Sequence, residues 1–332
     1  MVRHPLIRGI TELLLVATAG LLACGLAGCS FGGPTAEERA LAEMDRGQMY
    51  RELGLTDAAL QAFAAALEQT PDLVEAPLAM GDVYRLRGDF ERASQAYQAA
   101  VKIAPNNFQA NYYLALSRYV GGQVQDALPY YLRALTINPY DFNANCDLGA
   151  AYLKLERPAE GLPYARQATQ LHSRDPGAWA NLGAICTLVG QYASAADAYH
   201  NAAEYGAPPT LARLGEAEAL IHVEKYDQAV KALQQLIAAA PSAQAYERMG
   251  YACYKARQVD PALDAYRAAV KIDPDDTAAL NGLGVCLMTN YILHGRQDKA
   301  LRDEALEAWR KSVRLRPDQT NIIDLLSRYE KT

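Results

Sequence analysis

Small and bulky residues recur along the chain at an interval of 34 residues. Gly or Ala stands at positions 47, 81, 115, 149, 183 and 217, and Gly follows at positions 250 and 284, after steps of 33 and 34. A second small residue lies twelve positions after each of the first seven, and a bulky residue follows four positions later in all of these units except the fourth. A fixed period of this length indicates one structural unit repeated along the chain, each copy burying its apolar face against its neighbours.

Gly and Pro residues mark the ends of two segments within each unit. Glycine tolerates the left-handed backbone in which a helix stops and the chain reverses, and proline lacks the amide hydrogen that would continue a helix. Gly or Ala at both crossing positions lets two helices approach closely. The pattern therefore predicts two helices in each unit. Reversals are predicted at Gly54, Gly88, Gly122 and Gly190, and the ends of second helices at Pro71, Pro105, Pro139, Pro241, Pro274 and Pro317.

Two segments carry the whole pattern. "GDVYRLRGDFERASQAYQAAVKIAP" (Gly81 to Pro105) and "WANLGAICTLVGQYASAADAYHNA" (Trp179 to Ala202) resemble the tetratricopeptide repeat, whose period is 34 residues. The resemblance covers about eight units between residues 40 and 318. It implies an all-α fold, a right-handed superhelical solenoid in which hairpins of antiparallel helices stack on one another.

The end of the array departs from the regular period. We expect the array to occupy residues 38–318, with nine extra residues in the last unit. Gly295 is expected to end an extended first helix, and Arg296 to begin a long, charged second helix. Two interpretations stay open: longer helices that shield the end of the stack, or a second partner site containing Tyr291 and Leu293. Residues 319–332 are predicted to form a capping helix. Its expected N-cap is Thr320, and its expected apolar side is Ile322, Ile323, Leu326 and Tyr329.

Residues 1–28 have the features of a signal peptide. Arg3 and Arg8 precede an uncharged run of 16 residues from Leu13 to Gly28. This run is shorter than the roughly 20 apolar residues of a membrane-spanning helix, and glycines interrupt it. The segment is therefore predicted to direct export and then to be removed.

The segment "LAGC" (Leu26 to Cys29) resembles the lipobox of bacterial lipoproteins. In that family the cysteine thiol is diacylated and the signal peptide is cut before it, which implies that Cys29 is a lipidated N-terminus followed by a linker over residues 29–37. Cys24 matches less well because a bulky leucine stands two positions before it. Ser30 favours the outer membrane, so the resemblance implies attachment to its periplasmic face. An uncleaved anchor or simple secretion is the alternative.

The resemblance to the repeat family also implies a binding surface. In that family the first helices of successive units line a concave groove at fixed positions in each unit. At these positions the middle of the array carries mainly apolar and aromatic side chains, which suits an extended or helical segment of a protein partner. Alternatively, individual side chains pack against the adjacent helix and are not available. The predicted groove residues are Tyr112, Leu116, Tyr119, Leu153, Leu188, Ile221, Tyr251 and Tyr254.

Charge and motifs argue against other classes of function. The net charge is −6, and no cluster of Lys and Arg supplies the basic face that nucleic-acid binding requires. The five histidines are scattered, and the HExxH, GxSxG, Walker and GxGxxG motifs are absent. The four cysteines after Cys29 lack CxxC spacing, so we expect small buried side chains and not a zinc site. We therefore expect no cofactor, no metal and no small-molecule substrate.

The predicted function is that of a lipid-anchored scaffold, not an enzyme, which binds protein partners in its groove beside a bacterial membrane. Known lipoproteins of this architecture assist pilus secretin assembly, outer-membrane barrel insertion or peptidoglycan-hydrolase control. A dedicated assembly factor of one of these kinds is the alternative. An enzyme, or the regulatory subunit of an enzyme, is a more remote alternative.

Overall fold

The computed structural model describes residues 33–330, which form seventeen α-helices joined by turns, with no strand in this part of the chain. The all-α expectation is therefore confirmed. In chain order the helices are α1 (Ala36–Glu52), α2 (Thr56–Gln69), α3 (Glu75–Leu86), α4 (Phe90–Ile103), α5 (Phe108–Val120), α6 (Val124–Ile137), α7 (Phe142–Lys154), α8 (Pro158–Leu171), α9 (Pro176–Leu188), α10 (Tyr192–Glu204), α11 (Pro209–His222), α12 (Tyr226–Ala239), α13 (Ala243–Lys255), α14 (Val259–Ile272), α15 (Thr277–Leu293), α16 (Lys299–Leu315) and α17 (Thr320–Tyr329).

Helices α1 to α16 form eight successive hairpins, each with an odd-numbered first helix and an even-numbered second helix. The hairpins fall into two compact units, one ending at Ala76 and the other beginning at Pro77. The first unit contains the hairpin of α1 and α2, in which the buried ring of Phe63 lies against Gly47. Its first helix begins with a capping box, because the Thr35 and Glu38 side chains each accept a hydrogen bond from the other residue's amide, at 3.1 and 2.7 Å.

In the second unit, glycines make room for the aromatic rings that the sequence pattern places four residues after each small residue. The ring of Tyr199 lies between Gly183 of its own hairpin and Gly215 of the next one, where a built Cβ would come within 2.9 and 2.7 Å of ring atoms. Tyr266 lies between Gly250 and Gly282 in the same way. Each of these two rings therefore joins two successive hairpins of the second unit.

Polar residues and prolines set the helix ends. The side chain of Asp141 accepts a hydrogen bond from the amide of Ala144 at 2.8 Å and so caps the start of α7. Asn107, Asp175, Ser242 and Asp276 cap α5, α9, α13 and α15 in the same way. Six second helices end two residues before the prolines at 71, 105, 139, 241, 274 and 317, which is where the sequence predicts their ends.

The four predicted glycine reversals have left-handed backbone, with φ between 74° and 86°. Three further reversals adopt the same conformation without glycine. Glu156, Glu224 and Arg257 have φ of 58°, 60° and 62°. A side chain in this region costs about 1–2 kcal/mol, so the hairpin geometry imposes this turn whichever residue stands there.

The last hairpin is longer than the others, as the extra residues predict. Helices α15 and α16 each contain 17 residues. Gly295 has a φ of 66° just after α15, whereas α16 begins at Lys299, three residues later than expected, because the Asp298 side chain caps it through the amide of Ala300 at 3.0 Å. Tyr291 is buried in the core of this end of the chain. Leu293 is 69% exposed.

Residues 320–329 form the helix α17, which packs against α16. The expected N-cap was wrong: Gln319 takes that position, and its side chain donates to the carbonyl oxygens of Ser312 and Arg316 at 3.0 and 2.9 Å. These bonds occupy carbonyl groups that the end of α16 leaves without helical partners. Ile322 and Leu326 are buried, but Ile323 is exposed because one residue further along a helix points about 100° away.

Within residues 33–330, no helix combines the length and the hydropathy that crossing a bilayer requires. Cys29, the lipobox and the predicted signal peptide lie outside the described residues, so they remain predictions. The four later cysteines are free thiols, and Cys186, Cys253 and Cys286 are buried as expected.

Candidate functional site

First helices pack directly against one another along the second unit. Contacts join α5 to α7, α7 to α9, α9 to α11, α11 to α13 and α13 to α15. No comparable row of contacts joins the second helices in the part of the chain that the structure describes. The first helices are therefore the more closely spaced row, and their outward side chains form one continuous surface, which we call the candidate groove.

All eight predicted groove residues lie on these first helices, and none is fully buried. Leu188 and Tyr251 are the most accessible, with exposed fractions of 62% and 37%. The other six are partly buried, so part of each side chain is already used in packing. The helices carry them as follows: Tyr112, Leu116 and Tyr119 on α5, Leu153 on α7, Leu188 on α9, Ile221 on α11, and Tyr251 and Tyr254 on α13.

Two tyrosines of α5 contact polar residues of α7. The hydroxyl of Tyr112 donates a hydrogen bond to Oδ2 of Asp147 at 2.9 Å. The ammonium of Lys154 lies 5.2 Å from the centre of the Tyr119 ring, in a cation–π contact. Part of the Tyr112 side chain is therefore already engaged by the adjacent helix, as the alternative interpretation expects. These polar contacts join the third and fourth hairpins.

The carboxyl group of Asp147 has an unusual environment. Burial raises its pKa, the negative charge of Asp141 adds to that rise, and the hydrogen bond from Tyr112 offsets only part of it. Burial also raises the pKa of the adjacent Cys146 thiol to about 11, with smaller contributions from Asp147 and Asp175. The thiol is therefore protonated near neutral pH and is a poor nucleophile.

Other acidic residues of the first helices have arginine partners. An Asp82 oxygen lies 3.4 Å from the Arg85 guanidinium and accepts a hydrogen bond from the Tyr97 hydroxyl at 2.7 Å. Glu218 and Glu247 both lie 3.5 Å from Nε of Arg248. Each of these carboxylates therefore has a guanidinium within 4.0 Å.

A hollow of about 290 Å³ opens elsewhere in the second unit, between α10, α11 and α12. The guanidinium of Arg213 lies 2.6 Å from a Glu204 oxygen and 2.8 Å from a Glu216 oxygen. His200 Nδ1 lies 2.8 Å from the other oxygen of Glu216. Arg213, Glu216 and His200 at this hollow therefore already pair with one another.

Sequence reasoning missed Asp147, because the family's groove positions pass from Cys146 to residue 150 without including it. The signal available was a single acid within the otherwise uncharged first part of α7, "FNANCDLGAAYL". Among residues 33–330, no group of three or more His, Cys, Asp or Glu side chains is placed to hold a metal ion.

Family models of the tetratricopeptide repeat match residues 78–142, 146–212, 214–277 and 254–319, and a further model of the same repeat matches residues 44–73. No curated protein matches the chain significantly.

Solved structures resemble the chain at low identity. A structure reported for the functional characterization of Pseudomonas aeruginosa pilF is 21% identical, covers 64% of this chain and 96% of its own, and has a TM-score of 0.50. A tetratricopeptide repeat protein from Parabacteroides merdae is 16% identical over 75% of this chain and 99% of its own, with a TM-score of 0.48. YrrB, described as a TPR protein with an unusual peptide-binding site, is 20% identical over 67% of this chain and 97% of its own, with a TM-score of 0.46.

The family matches cover well over half of the chain and coincide with the helix hairpins. The fold is a solenoid of stacked hairpins, an architecture that typically serves as a non-catalytic scaffold for protein interaction. The sequence period, the packing of rings between glycines and the family models all indicate the same stacked helix hairpins. The chain belongs to the tetratricopeptide repeat family.

Proposed function

We propose that this protein is a lipid-anchored scaffold that binds a segment of a protein partner in the candidate groove, beside a bacterial outer membrane. The observation that carries the proposal is the continuous row of first helices, with aromatic and aliphatic side chains on it that remain partly or largely exposed. Membership of a family of interaction scaffolds supports the protein-binding part of the proposal.

The chemistry of the candidate groove favours a peptide or helix as its occupant. Leu188 and Tyr251 offer apolar contact area in the middle and near one end of the row, and tyrosine is among the residues that carry most of the affinity in protein interfaces. The ion pair of Glu218 with Arg248 adds polar groups beside this apolar area. An apolar area with polar groups beside it matches an amphipathic segment.

The proposed anchor is the lipidated thiol of Cys29. Because α1 begins at Ala36, only six residues separate Cys29 from the first helix, and they span at most about 21 Å at roughly 3.5 Å per residue. The first hairpin would then lie close to the lipid headgroups. Several acyl chains on one residue give an effectively permanent attachment, since each buried methylene contributes about 0.8 kcal/mol.

The double substitution Leu188→Glu with Tyr251→Glu is expected to lower partner capture by at least about tenfold, because it places two charges on the apolar part of the candidate groove. Both side chains are exposed, so circular dichroism should show an unchanged helical content. Capture is measured by pull-down of the full-length lipidated protein from bacterial membranes, followed by quantitative mass spectrometry.

The matched control is Leu132→Glu with Tyr140→Glu, which changes an exposed leucine of α6 and an exposed tyrosine of a turn, both outside the candidate groove. This control should capture the partner as the wild type does. Equal capture by both double variants would overturn the groove proposal. One stoichiometric client would indicate a dedicated assembly factor, and many weaker ones a general scaffold.

Cys29→Ala is expected to abolish acylation and the cut before residue 29 in a bacterial host, because it removes the only thiol that the lipobox positions for acylation. Membrane and soluble fractions are compared by immunoblotting, and the N-terminal peptide is examined by mass spectrometry for acyl chains. Cys24→Ala is the control and should remain in the membrane fraction. If the wild-type protein itself keeps an intact leader and carries no acyl chain, an uncleaved anchor replaces the lipid.

A further inference from the structure

Asp147 is a largely buried carboxylate in the candidate groove that has no cationic partner. Its one hydrogen bond comes from the neutral hydroxyl of Tyr112 at 2.9 Å. No Lys, Arg or His nitrogen of residues 33–330 lies within 4.0 Å of it, although Glu218 and Glu247 in the candidate groove both lie that near Arg248. Asp147 is therefore the exception among the acidic residues of this surface.

A carboxylate in this position is costly to the protein alone. Burial disfavours the charged form and raises the pKa of Asp147, and a buried charge without a partner is destabilising. A cation that arrives from outside would recover part of this cost. It would also form a hydrogen bond in which donor and acceptor are both charged, whereas in the bond from Tyr112 only the acceptor is charged.

The surroundings of Asp147 suit a side chain with an apolar stem and a cationic head. The rings of Tyr112 and Tyr119 flank this junction of α5 and α7, and tyrosine faces attract cations. Lys154 already places its ammonium 5.2 Å from the centre of the Tyr119 ring. Leu116 and Leu153 provide partly exposed aliphatic surface for a methylene stem on the same helices.

We propose that the partner segment places a lysine or arginine side chain on Asp147, between Tyr112 and Tyr119, when it occupies the candidate groove. This inference rests on the proposed function and specifies the chemistry of the partner. It predicts a segment with one basic residue at a fixed position among apolar residues, and not a segment recognised through its C-terminal carboxylate.

The test is a selection of random twelve-residue peptides displayed on phage, using the mature chain as the target. Peptides that lose binding to the Leu188→Glu protein are retained as groove-dependent. Among these, a lysine or arginine is expected at one fixed position. Replacing it by citrulline or norleucine should weaken binding to the wild type by about 5- to 50-fold, the range of a partly exposed charge-assisted bond.

Asp147→Asn provides the decisive comparison, because the amide oxygen can still accept the Tyr112 hydrogen bond while the charge is gone. When the Asp147→Asn protein is the target, replacing the peptide's basic residue by citrulline or norleucine should change the binding affinity by less than about twofold. Glu218→Gln is the control: it removes the charge of a groove acid that already lies beside Arg248, so it should leave the 5- to 50-fold difference intact.

The outcomes separate the two proposals. Two outcomes would overturn the inference about Asp147 and leave the scaffold function standing. In the first, the groove-dependent peptides have no fixed basic residue. In the second, peptides with a fixed basic residue bind the Asp147→Asn protein as tightly as they bind the wild type. A selection that yields no groove-dependent peptide would overturn the proposed function and this inference together.

Discussion

Trp309→Ala is expected to lower the free energy of unfolding of the last hairpin by about 3–5 kcal/mol, the range measured when a large buried aromatic residue is truncated. Trp309 is 1% exposed, and its indole lies against Gly284, where a built Cβ would overlap the ring. Its Nε1 donates to the carbonyl oxygen of Asn281 at 3.3 Å, and its ring centre lies 6.3 Å from that of Tyr329 in α17. Truncation removes all three contacts and leaves a cavity.

Urea denaturation combined with hydrogen exchange measures this loss, because repeat arrays open from their ends and different hairpins need not unfold together. Amide protection should fall in α15, α16 and α17 and should change much less in the hairpin of α5 and α6. Trp309→Phe is the control and should lose less, since a phenyl ring still fills most of the site. Unchanged protection at the C-terminal end in the Trp309→Ala protein would show that this ring does not hold the cap.

Gly183→Ala is expected to destabilise the protein by about 1–3 kcal/mol, although replacing a glycine inside a helix by alanine ordinarily stabilises by about 0.5–1 kcal/mol. The new methyl group would lie 2.9 Å from ring atoms of Tyr199, closer than van der Waals contact allows. The ring has no room to retreat, because Gly215 of the next hairpin contacts its other edge. The substitution must therefore separate two helices.

Gly149→Ala is the matched control for this prediction. Gly149 has the same place in the preceding repeat, but the bulky residue is replaced there by Ala165, and the nearest side-chain atom to a built Cβ is Nδ2 of Asn181 at 3.2 Å. That amide ends a flexible side chain and can shift, so the expected change is near zero. Thermal unfolding followed by circular dichroism compares the two variants. An equal fall in both melting temperatures would contradict the proposed role of the Tyr199 ring.

The predicted groove residues all lie on first helices, but the family resemblance did not show which of their side chains are accessible. Leu188 is largely exposed, whereas the hydroxyl of Tyr112 is engaged by Asp147, 35 residues further along the chain. Both residues stand at positions that line the groove in that family. The difference arises because accessibility depends on the side chain that the neighbouring helix presents, and residue spacing alone does not describe that neighbour.

The sequence by itself determined the all-α class, the number of hairpins and the turns where the chain reverses. These features are local: proline removes an amide hydrogen, glycine permits left-handed backbone, and small residues spaced twelve apart allow two adjacent helices to cross. The pattern at Gly183 and Ala195 can be recognised in the sequence because it recurs along the chain.

Only the tertiary structure decided how successive hairpins fit together. Gly215 and Gly282 lie outside the 34-residue pattern of small residues, yet each contacts the ring of a tyrosine from the preceding hairpin. Glu224 adopts a left-handed turn that its residue type disfavours, because the helices on both sides fix its backbone. The lone carboxylate of Asp147 also became visible only in three dimensions, since the absence of a cationic partner depends on distances between helices that are far apart along the chain.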